Sequence, residues 1–435
     1  MPSPAGEGRE VQPSTGQRLL WLLDHYRGGG GTLNAPLAWR LRGPVSERAL
    51  QEALDGLVER HEALRTSYVT RGRRLVARVH PPRPLELERC EPPAGSAPRE
   101  EAIMAAAHER ARTRMDVTVS PIAAALWTIG DDDRLLLLTI HHLATDFVSN
   151  MIISRDLGHL YDRATGATVA ELPPIGWQYS AWAEHQVAAF AAGRLERLQA
   201  FWRDRLTGAR PPLLPRPGGA AGPARSARAT RDLAPALVQR LRAIALEARS
   251  TMFAVMLAGF FAHLHRVTGQ RDVAIASLFT NRTPSEVEHT VGFFVSMIVL
   301  RAHVAPGATF VELVRASRST VVGALAHAEL PYHMLPPGTV QSDGEARIDD
   351  VVFQYLDAPP GRPTGLPLQP LEITVNAGRF ALELVVHSQS RCMLRYDAGR
   401  IDDAWATDFL AGYEALLDEL SRAPGAAADG GAIAA

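Results

Sequence analysis

The sequence predicts a mixed α/β protein that folds into two lobes. Its 435 residues exceed the length that one hydrophobic core usually supports, so two packed lobes are expected. Helical and strand periodicities follow one another irregularly, without a regular strand–helix repeat. The second half repeats the type of organisation of the first, helices packed on a sheet, without a detectable sequence repeat. We place the lobes at residues 1–175 and 176–422, with a disordered tail at 423–435.

Helices and strands follow one another in the first half. A short first helix is expected in "GQRLLWLLDHY", and the glycine run at 28–31 after it is expected to be flexible. Ser46 is a suitable cap for a helix whose apolar residues recur at helical spacing. A hairpin should turn at residues 71–73. A helix over 99–115 precedes two strands, "PIAAALWTIG" and "RLLLLTI", which an acidic turn joins, and a long helix is expected over 177–206.

The second half begins with a segment rich in proline, glycine and small residues, 208–229, which is the best linker candidate. Helices follow around residue 241 and from Met252, and "DVAIASLF" and "VSMIVLRAHV" are expected strands. Thr309 and Glu312 have the spacing of a capping box. Strands near 371–375, 380–388 and 392–396 precede a final helix over 402–420.

Composition excludes several classes of function. The formal net charge of −1 argues against a nucleic-acid or anionic-membrane partner. Two cysteines, Cys90 and Cys392, supply neither a disulfide framework nor a thiolate metal cluster. The N-terminus lacks the basic and apolar regions of a signal peptide, and the longest apolar run, 252–262, is too short to cross a bilayer. A cytoplasmic protein is expected.

The stretch "LLLLTIHHLATDFVS" holds the strongest candidates for chemistry. His141 and His142 end a predicted strand, where adjacent side chains point to opposite faces, so one metal ion held by both is not expected. A neutral imidazole can accept a proton at cytoplasmic pH, although a histidine pair at a strand end is also compatible with a structural role. Asp146 could orient a histidine, pair with an arginine or cap the following helix.

This stretch resembles the HHxxxDG signature of the condensation domains of nonribosomal peptide synthetases. Further segments resemble that family in the same order along the chain. They are "STGQRLLWLL", "RHEALRTSY", "WQYSAWAEHQ", "TNRT" with "VGFFVSMIVLR", and "HAELPYHML". Each block is weak alone, but their common order from Ser14 to about Leu420 identifies the chain as a member of the family.

The resemblance implies two chloramphenicol-acetyltransferase-like lobes that form a V-shaped pseudo-dimer with a central tunnel. By similarity, His142 is the catalytic residue, which acts as a general base or positions the nucleophile, and His141 supports the site. Asp146 would be structural and paired with Arg282, with Arg60 and Arg65 as competing partners. His61 and Glu62 are expected to stabilise the junction between a helix and a strand rather than to catalyse.

Two residues depart from the family pattern. Phe147 replaces the glycine that follows the aspartate, and Ser296 replaces an asparagine. A phenylalanine ring must occupy space where glycine allows close approach, so it either narrows the tunnel or packs into the lobe. Ser296 keeps a hydrogen-bonding group with a shorter reach. Both residues are therefore candidates for lining the tunnel.

The expected function is that of a stand-alone condensation enzyme. It would join an acyl or aminoacyl thioester, held by phosphopantetheine on a separate acyl or peptidyl carrier protein, to an amine or alcohol acceptor, free or carrier-bound. No bound cofactor is expected, because the thioester is already activated. No metal is expected either, because the sequence has no HExxH motif and no third clustered ligand beside the histidine pair. A coenzyme A-dependent acyltransferase and a catalytically inactive recruitment module remain alternatives. An epimerase of the same superfamily is less favoured, because its additional blocks were not found.

Overall fold

The computed structural model describes residues 8–26, 33–92, 98–214, 225–340, 346–356, 364–373, 375, 380–387 and 390–429. The chain forms two compact units. The first consists of Met1–Gly193, Thr280–Val295 and Pro360–Asn376, and the second of Arg194–Phe279, Ser296–Pro359 and Ala377–Ala435. The glycine run at 28–31, and residues 215–224 of the expected linker, lie outside the described residues.

The helices and strands of the described residues are numbered in chain order. The helices are α1 Thr15–Tyr26, α2 Glu47–Arg60, α3 Arg99–Arg112, α4 Phe147–Ala164, α5 Tyr179–Ala189, α6 Leu195–Leu206, α7 Pro235–Glu247, α8 Met252–Thr268, α9 Phe310–Leu325 and α10 Asp403–Arg422. The strands are β1 Arg9–Val11, β2 Asn34–Arg42, β3 Thr66–Arg71, β4 Arg74–Val79, β5 Leu87–Cys90, β6 Ile122–Gly130, β7 Asp133–His141, β8 Ser226–Asp232, β9 Asp272–Thr280, β10 Val295–His303, β11 Val351–Leu356, β12 Leu368–Leu371, β13 Leu382–His387 and β14 Arg391–Asp397.

The first unit is built on a five-stranded sheet of order β12-β2-β7-β6-β5. Strand β7 lies at its centre and is apolar on both faces. Leu136 and Leu138 belong to a core cluster with residues of α2 and α4, whereas Leu135 and Leu137 belong to a second cluster with residues of α3. A strand that is covered on both faces has apolar residues at consecutive positions rather than at alternate ones, which explains the four consecutive leucines.

A smaller sheet of order β1-β4-β3 completes the first unit. Strands β3 and β4 pair in antiparallel fashion, Thr66 with Val79 and Arg71 with Arg74. Gly72 turns the chain at a positive φ of 61°, which glycine adopts at little cost. The predicted hairpin is therefore confirmed, and so is the Ser46 cap, whose side chain accepts a hydrogen bond from the backbone of Ala49.

The second unit carries a six-stranded mixed sheet of order β10-β9-β11-β13-β14-β8. Helix α8 is buried from Ala254 to Leu264 and packs Phe260 against Phe353 of β11. The predicted capping box of Thr309 and Glu312 is present at the start of α9. Strand β8 overlaps the predicted linker. Its short sequence, "SARATRD", is charged and mostly exposed, which is typical of an edge strand and lacks the apolar pattern of a buried strand.

Several boundaries differ from the sequence-based expectation, among them the strand expected near 371–375, which the structure places at Leu368–Leu371. The long helix expected over 177–206 is interrupted at Gly193, which adopts a φ of 88°. The first unit continues to this break rather than ending at residue 175, because Trp182 packs against Phe294 in its core. Part of the expected disordered tail is ordered, since Ala428 is buried and Asp429 pairs with Arg271. Residues 430–435 lie outside the described residues.

Buried His263 on α8 gives the second unit a testable dependence on pH. Burial lowers the pKa of this imidazole to about 4, from an unfolded value of about 6.5. Between these two pH values the unfolded chain binds more protons than the folded chain, so the free energy of unfolding falls as the pH falls from 6.5 to 4. The full loss is on the order of 3 kcal/mol.

We expect His263→Leu to reduce this loss in urea unfolding measured between pH 4.5 and 7.5. His303, which is exposed in the same unit, provides the control, and His303→Gln should keep the wild-type slope. Some acid sensitivity should persist in both variants, because His141 in the first unit also has a lowered pKa. An unchanged slope in His263→Leu would contradict the assignment.

No single helix among the described residues has the length and apolar composition needed to cross a membrane. Helices α7 and α8 reach those limits only when they are taken together, and the pair is bent by 105°.

Candidate active site

The HHxxxD stretch forms the connection between the central strand of the first unit and the helix that follows it. Strand β7 ends at His141, and α4 begins at Phe147 with Asp146 as its N-cap. The Asp146 carboxylate accepts a hydrogen bond of 2.7 Å from the backbone nitrogen of Ser149. A short connection between two core elements allows little backbone freedom, so the imidazoles occupy fixed positions.

His141 points into the first unit. It is 5% exposed, and burial lowers the pKa of its imidazole to about 4. Its Nδ1 accepts a hydrogen bond of 3.2 Å from the backbone nitrogen of Leu143, so the neutral ring carries its proton on Nε2. His141 is thus a neutral side chain that stabilises the turn after β7.

His142 is half-buried and makes a different contact. Its Nδ1 lies 3.2 Å from the carbonyl oxygen of Thr145. A carbonyl oxygen only accepts hydrogen bonds, so Nδ1 carries the proton and Nε2 is the basic nitrogen of the neutral ring. The ring of Phe293 lies edge-on to the imidazole, with 6.3 Å between centroids. This tautomer is suited to accepting a proton through Nε2.

Asp146 is buried and does not contact either imidazole through a hydrogen bond among the described residues. Its side chain is 1% exposed, and Oδ2 accepts a hydrogen bond of 3.0 Å from the backbone nitrogen of Phe294. Oδ1 lies 3.2 Å from Nη2 of Arg282. The carboxylate therefore joins the start of α4 to the segment 280–295, which belongs to the same unit.

Arg282 completes this buried group, and its side chain is 6% exposed. Nη1 donates to the carbonyl oxygens of Val287 and Thr290, at 2.9 and 2.6 Å. Nη2 also donates to Ser149 Oγ at 2.7 Å, and the guanidinium carbon lies 3.9 Å from the ring centroid of Phe294. Burial lowers the pKa of Arg282, and the Asp146 carboxylate opposes that effect. The pairing with Asp146 expected from the resemblance is present.

The competing arginines have other partners. Arg60 pairs with Asp156 at 2.9 Å, and Arg65 donates to the carbonyl oxygen of His80. His61 Nε2 lies 2.9 Å from the same Asp156 carboxylate. The Glu62 carboxylate accepts from the backbone of Ser180 at 2.7 Å. His61 and Glu62 therefore anchor the end of α2 to α4 and α5.

Phe147 and Ser296 lie in different compact units. Phe147 is the first residue of α4, and 41% of it is exposed, so its ring is not enclosed in the core of the first unit. Ser296 belongs to the second unit, is 2% exposed, and its hydroxyl has no hydrogen-bond partner within the described part of the chain. Neither residue belongs to the hydrogen-bonded group around Asp146.

Sequence reasoning missed several residues of this group. Ser149 Oγ donates to the carbonyl oxygen of Gly292 at 2.7 Å and accepts from its backbone nitrogen at 3.0 Å. Glycine at position 292 also lets Tyr179 pack closely, because a Cβ atom there would lie 1.9 Å from the tyrosine ring. The available signal in the sequence was the spacing of these residues, because the polar Ser149 follows the helix cap Asp146 after three positions. Their partners Arg282, Gly292 and Phe294 lie 133 to 148 residues away in sequence.

Comparisons with known proteins agree on one family. A family model described as Condensation domain matches residues 9–357. Phosphinothricin tripeptide synthetase PhsB from Streptomyces viridochromogenes is 36% identical in an alignment of 332 positions that covers 73% of this chain and 27% of that protein. The chain thus spans about a quarter of the length of this relative.

Solved structures are similar over nearly the whole chain. SgcC5 from Streptomyces globisporus, in complex with (R)-(-)-1-(2-naphthyl)-1,2-ethanediol and sucrose, is 29% identical with a TM-score of 0.74, covering 91% of this chain and 94% of SgcC5. The X-domain from teicoplanin biosynthesis is 22% identical with a TM-score of 0.82, covering 100% and 99% of the two chains. These likenesses confirm the predicted chloramphenicol-acetyltransferase-like fold.

Proposed function

Because the chain belongs to the condensation domain family of nonribosomal peptide synthetases, whose members are in general acyltransferases, we propose that it catalyses a condensation reaction. The donor is an acyl or aminoacyl group held as a thioester on the phosphopantetheine arm of a carrier protein. The acceptor is an amine or an alcohol. The observation that carries the proposal is the His142 tautomer, in which Nε2 is the basic nitrogen beside an edge-on phenylalanine.

The reaction requires one proton to move from the acceptor to the departing sulfur. The acceptor nitrogen or oxygen attacks the thioester carbonyl carbon, and a tetrahedral intermediate forms. As it collapses, the carbon–sulfur bond breaks, and the phosphopantetheine thiol leaves with the proton that the acceptor lost. His142 Nε2 accepts this proton or positions the nucleophile that loses it. An amide forms from an amine and an ester forms from an alcohol.

The remaining residues of the site would act on its structure. Asp146 and Arg282 form a buried pair that fixes the start of α4, and no atom of their side chains needs to touch substrate. His141, neutral and buried, stabilises the preceding turn. Phe147 and Ser296 stay proposed as residues that line the substrate path. No bound cofactor is needed in this scheme, because the thioester supplies the activation.

Both classes of acceptor have support among the relatives. PhsB is a tripeptide synthetase, which favours an amine acceptor and an amide product. SgcC5, at 29% identity, was solved with a vicinal diol, which favours an alcohol acceptor. We therefore use an amine and a diol as parallel probes of the acceptor.

We also propose that the chain acts on a donor carrier supplied as a separate protein. The unpaired cysteines Cys90 and Cys392 suit a reducing, cytoplasmic compartment.

The form of the thioester distinguishes this function from the coenzyme A-dependent alternative. The same acyl group is loaded on a carrier protein and on coenzyme A, and both are offered with an amine and with a diol. We expect faster turnover of the carrier-bound donor, read by intact-protein mass spectrometry. Equal or faster use of coenzyme A would overturn the carrier-dependent proposal.

A catalytically inactive recruitment module is the second candidate. Phe147 in place of the family glycine is the observation that favours it, and an X-domain of the same fold was solved in complex with OxyB. Conversion of either thioester by the wild-type chain, with loss of that conversion in His142→Ala, would exclude this candidate.

A further inference from the structure

The peptide group between Thr145 and Asp146 is held from both ends. Its carbonyl oxygen is the one that receives the Nδ1 proton of His142. On one side, the Asp146 carboxylate is fixed by Arg282 and by the backbone nitrogens of Ser149 and Phe294. A carbonyl in this orientation favours the His142 tautomer that carries the proton on Nδ1.

On the other side, the Thr145 side chain provides the second attachment. Thr145 is fully buried, and its hydroxyl donates a hydrogen bond of 2.6 Å to the Oδ1 atom of Asn150 in the first turns of α4. The backbone nitrogen of Asn150 donates to the Asp146 carbonyl at 2.9 Å, so Asn150 is itself fixed by the helix. The same hydroxyl makes a longer contact of 3.4 Å to the Asp146 carbonyl, so the shorter hydrogen bond to α4 is its main attachment.

We propose that Thr145 and Asn150 are positioning residues that set the tautomer of His142. Their hydrogen bond keeps the Thr145 carbonyl directed at Nδ1, so the proton stays on Nδ1 and Nε2 stays basic. Without the hydroxyl, the peptide loses one of its two attachments, and the tautomer with the proton on Nε2 becomes populated. A ring in that tautomer has no lone pair on Nε2 to accept the proton of the nucleophile.

The catalytic consequence of this inference rests on the proposed function, whereas the tautomer does not. Thr145→Val keeps the shape of the side chain and removes the hydroxyl, and Asn150→Ala removes the acceptor from a half-buried position. Thr145→Ser restores the hydroxyl. Ser154→Ala is the matched control, because it removes another side-chain hydrogen bond of α4, of 2.8 Å to the backbone of Asn150, without altering the Asn150 amide.

The experiment reads the tautomer by nuclear magnetic resonance of the full chain labelled with ¹⁵N-histidine, with His142→Ala identifying the resonances of His142. We expect Nε2 to appear as the unprotonated nitrogen in the wild type, Thr145→Ser and Ser154→Ala. In Thr145→Val and in Asn150→Ala, part of the population should shift to the Nε2-protonated form. Condensation turnover, kcat, should fall about 10-fold with KM unchanged in these two variants.

An Nε2 resonance that is unchanged in folded Asn150→Ala would overturn the inference, whatever the activity of the chain. If Thr145→Val does not fold, Asn150→Ala and Thr145→Ser still decide the question. A changed tautomer in a chain that converts no thioester would support the positioning role and contradict the proposed function, so the two failures are distinguishable.

Discussion

His142→Ala is expected to abolish measurable condensation while the chain stays folded. General acid–base catalysis contributes roughly 10²- to 10⁴-fold to a rate, and the variant loses the basic Nε2 atom altogether. The fold should survive because His142 is half-buried and its assigned hydrogen bond is made to a loop carbonyl rather than to a core element. Product formation is measured by intact-protein mass spectrometry of the loaded carrier, and folding by thermal melting.

His108 provides a matched control for this variant. Its Nδ1 also lies within hydrogen-bonding distance of a backbone carbonyl, that of Met104 at 2.8 Å, but it lies on α3. His108→Ala should keep the wild-type turnover. Unchanged product formation in His142→Ala would remove this histidine from the mechanism, and a parallel loss in both variants would point to a general effect of losing a histidine.

Asp146→Ala is expected to lower the free energy of unfolding by about 3 to 5 kcal/mol. The substitution removes one partner of a buried ion pair and leaves the Arg282 guanidinium, which is 6% exposed, without its carboxylate. It also removes the N-cap of α4 and the acceptor for the backbone nitrogen of Phe294. Urea unfolding at neutral pH measures the loss.

Asp402→Ala separates the loss of a cap from the loss of the buried pair. Asp402 caps α10 through the backbone nitrogens of Ala404 and Trp405, and it is exposed. We expect that variant to lose only about 1 kcal/mol. If Asp146→Ala instead keeps the stability of the wild type but has no activity, Asp146 has a direct role in the reaction and the structural assignment is wrong.

Much of the fold could be predicted because the apolar runs in the sequence coincide with the elements that the structure buries, and the capping residues coincide with the starts of helices. The leucines of β7 and the apolar residues of α8 form long buried elements, and the Ser46 and Thr309 caps mark helix starts with a specific hydrogen bond. Strand β8 was missed because its stability comes from pairing with β14, a partner more than 150 residues away, rather than from its own pattern. Likewise, only the structure shows that the chain kinks at Gly193, between α5 and α6.

The candidate site likewise contains residues that could be predicted from the sequence and residues that could not. His142, Asp146 and Arg282 could be named because a family resemblance carries information about distant contacts that spacing alone lacks. Thr145 and Asn150 lie five residues apart, yet nothing in the sequence indicates that the hydroxyl of one binds the amide of the other. That contact depends on the turn at Asp146. The turn itself depends on the buried groups that hold the Asp146 carboxylate, such as Arg282.

The segments that complete the first unit are synthesised late. Arg282 follows Asp146 by 136 residues, and the edge strand β12 follows later still. At 5–20 residues per second, roughly 7 to 27 s separate the emergence of the aspartate from that of its arginine. During this interval the nascent chain holds an unpaired carboxylate and an open sheet edge beside β2. The N-terminal half should therefore depend on chaperones, or remain partly folded, until the ribosome has translated most of the chain.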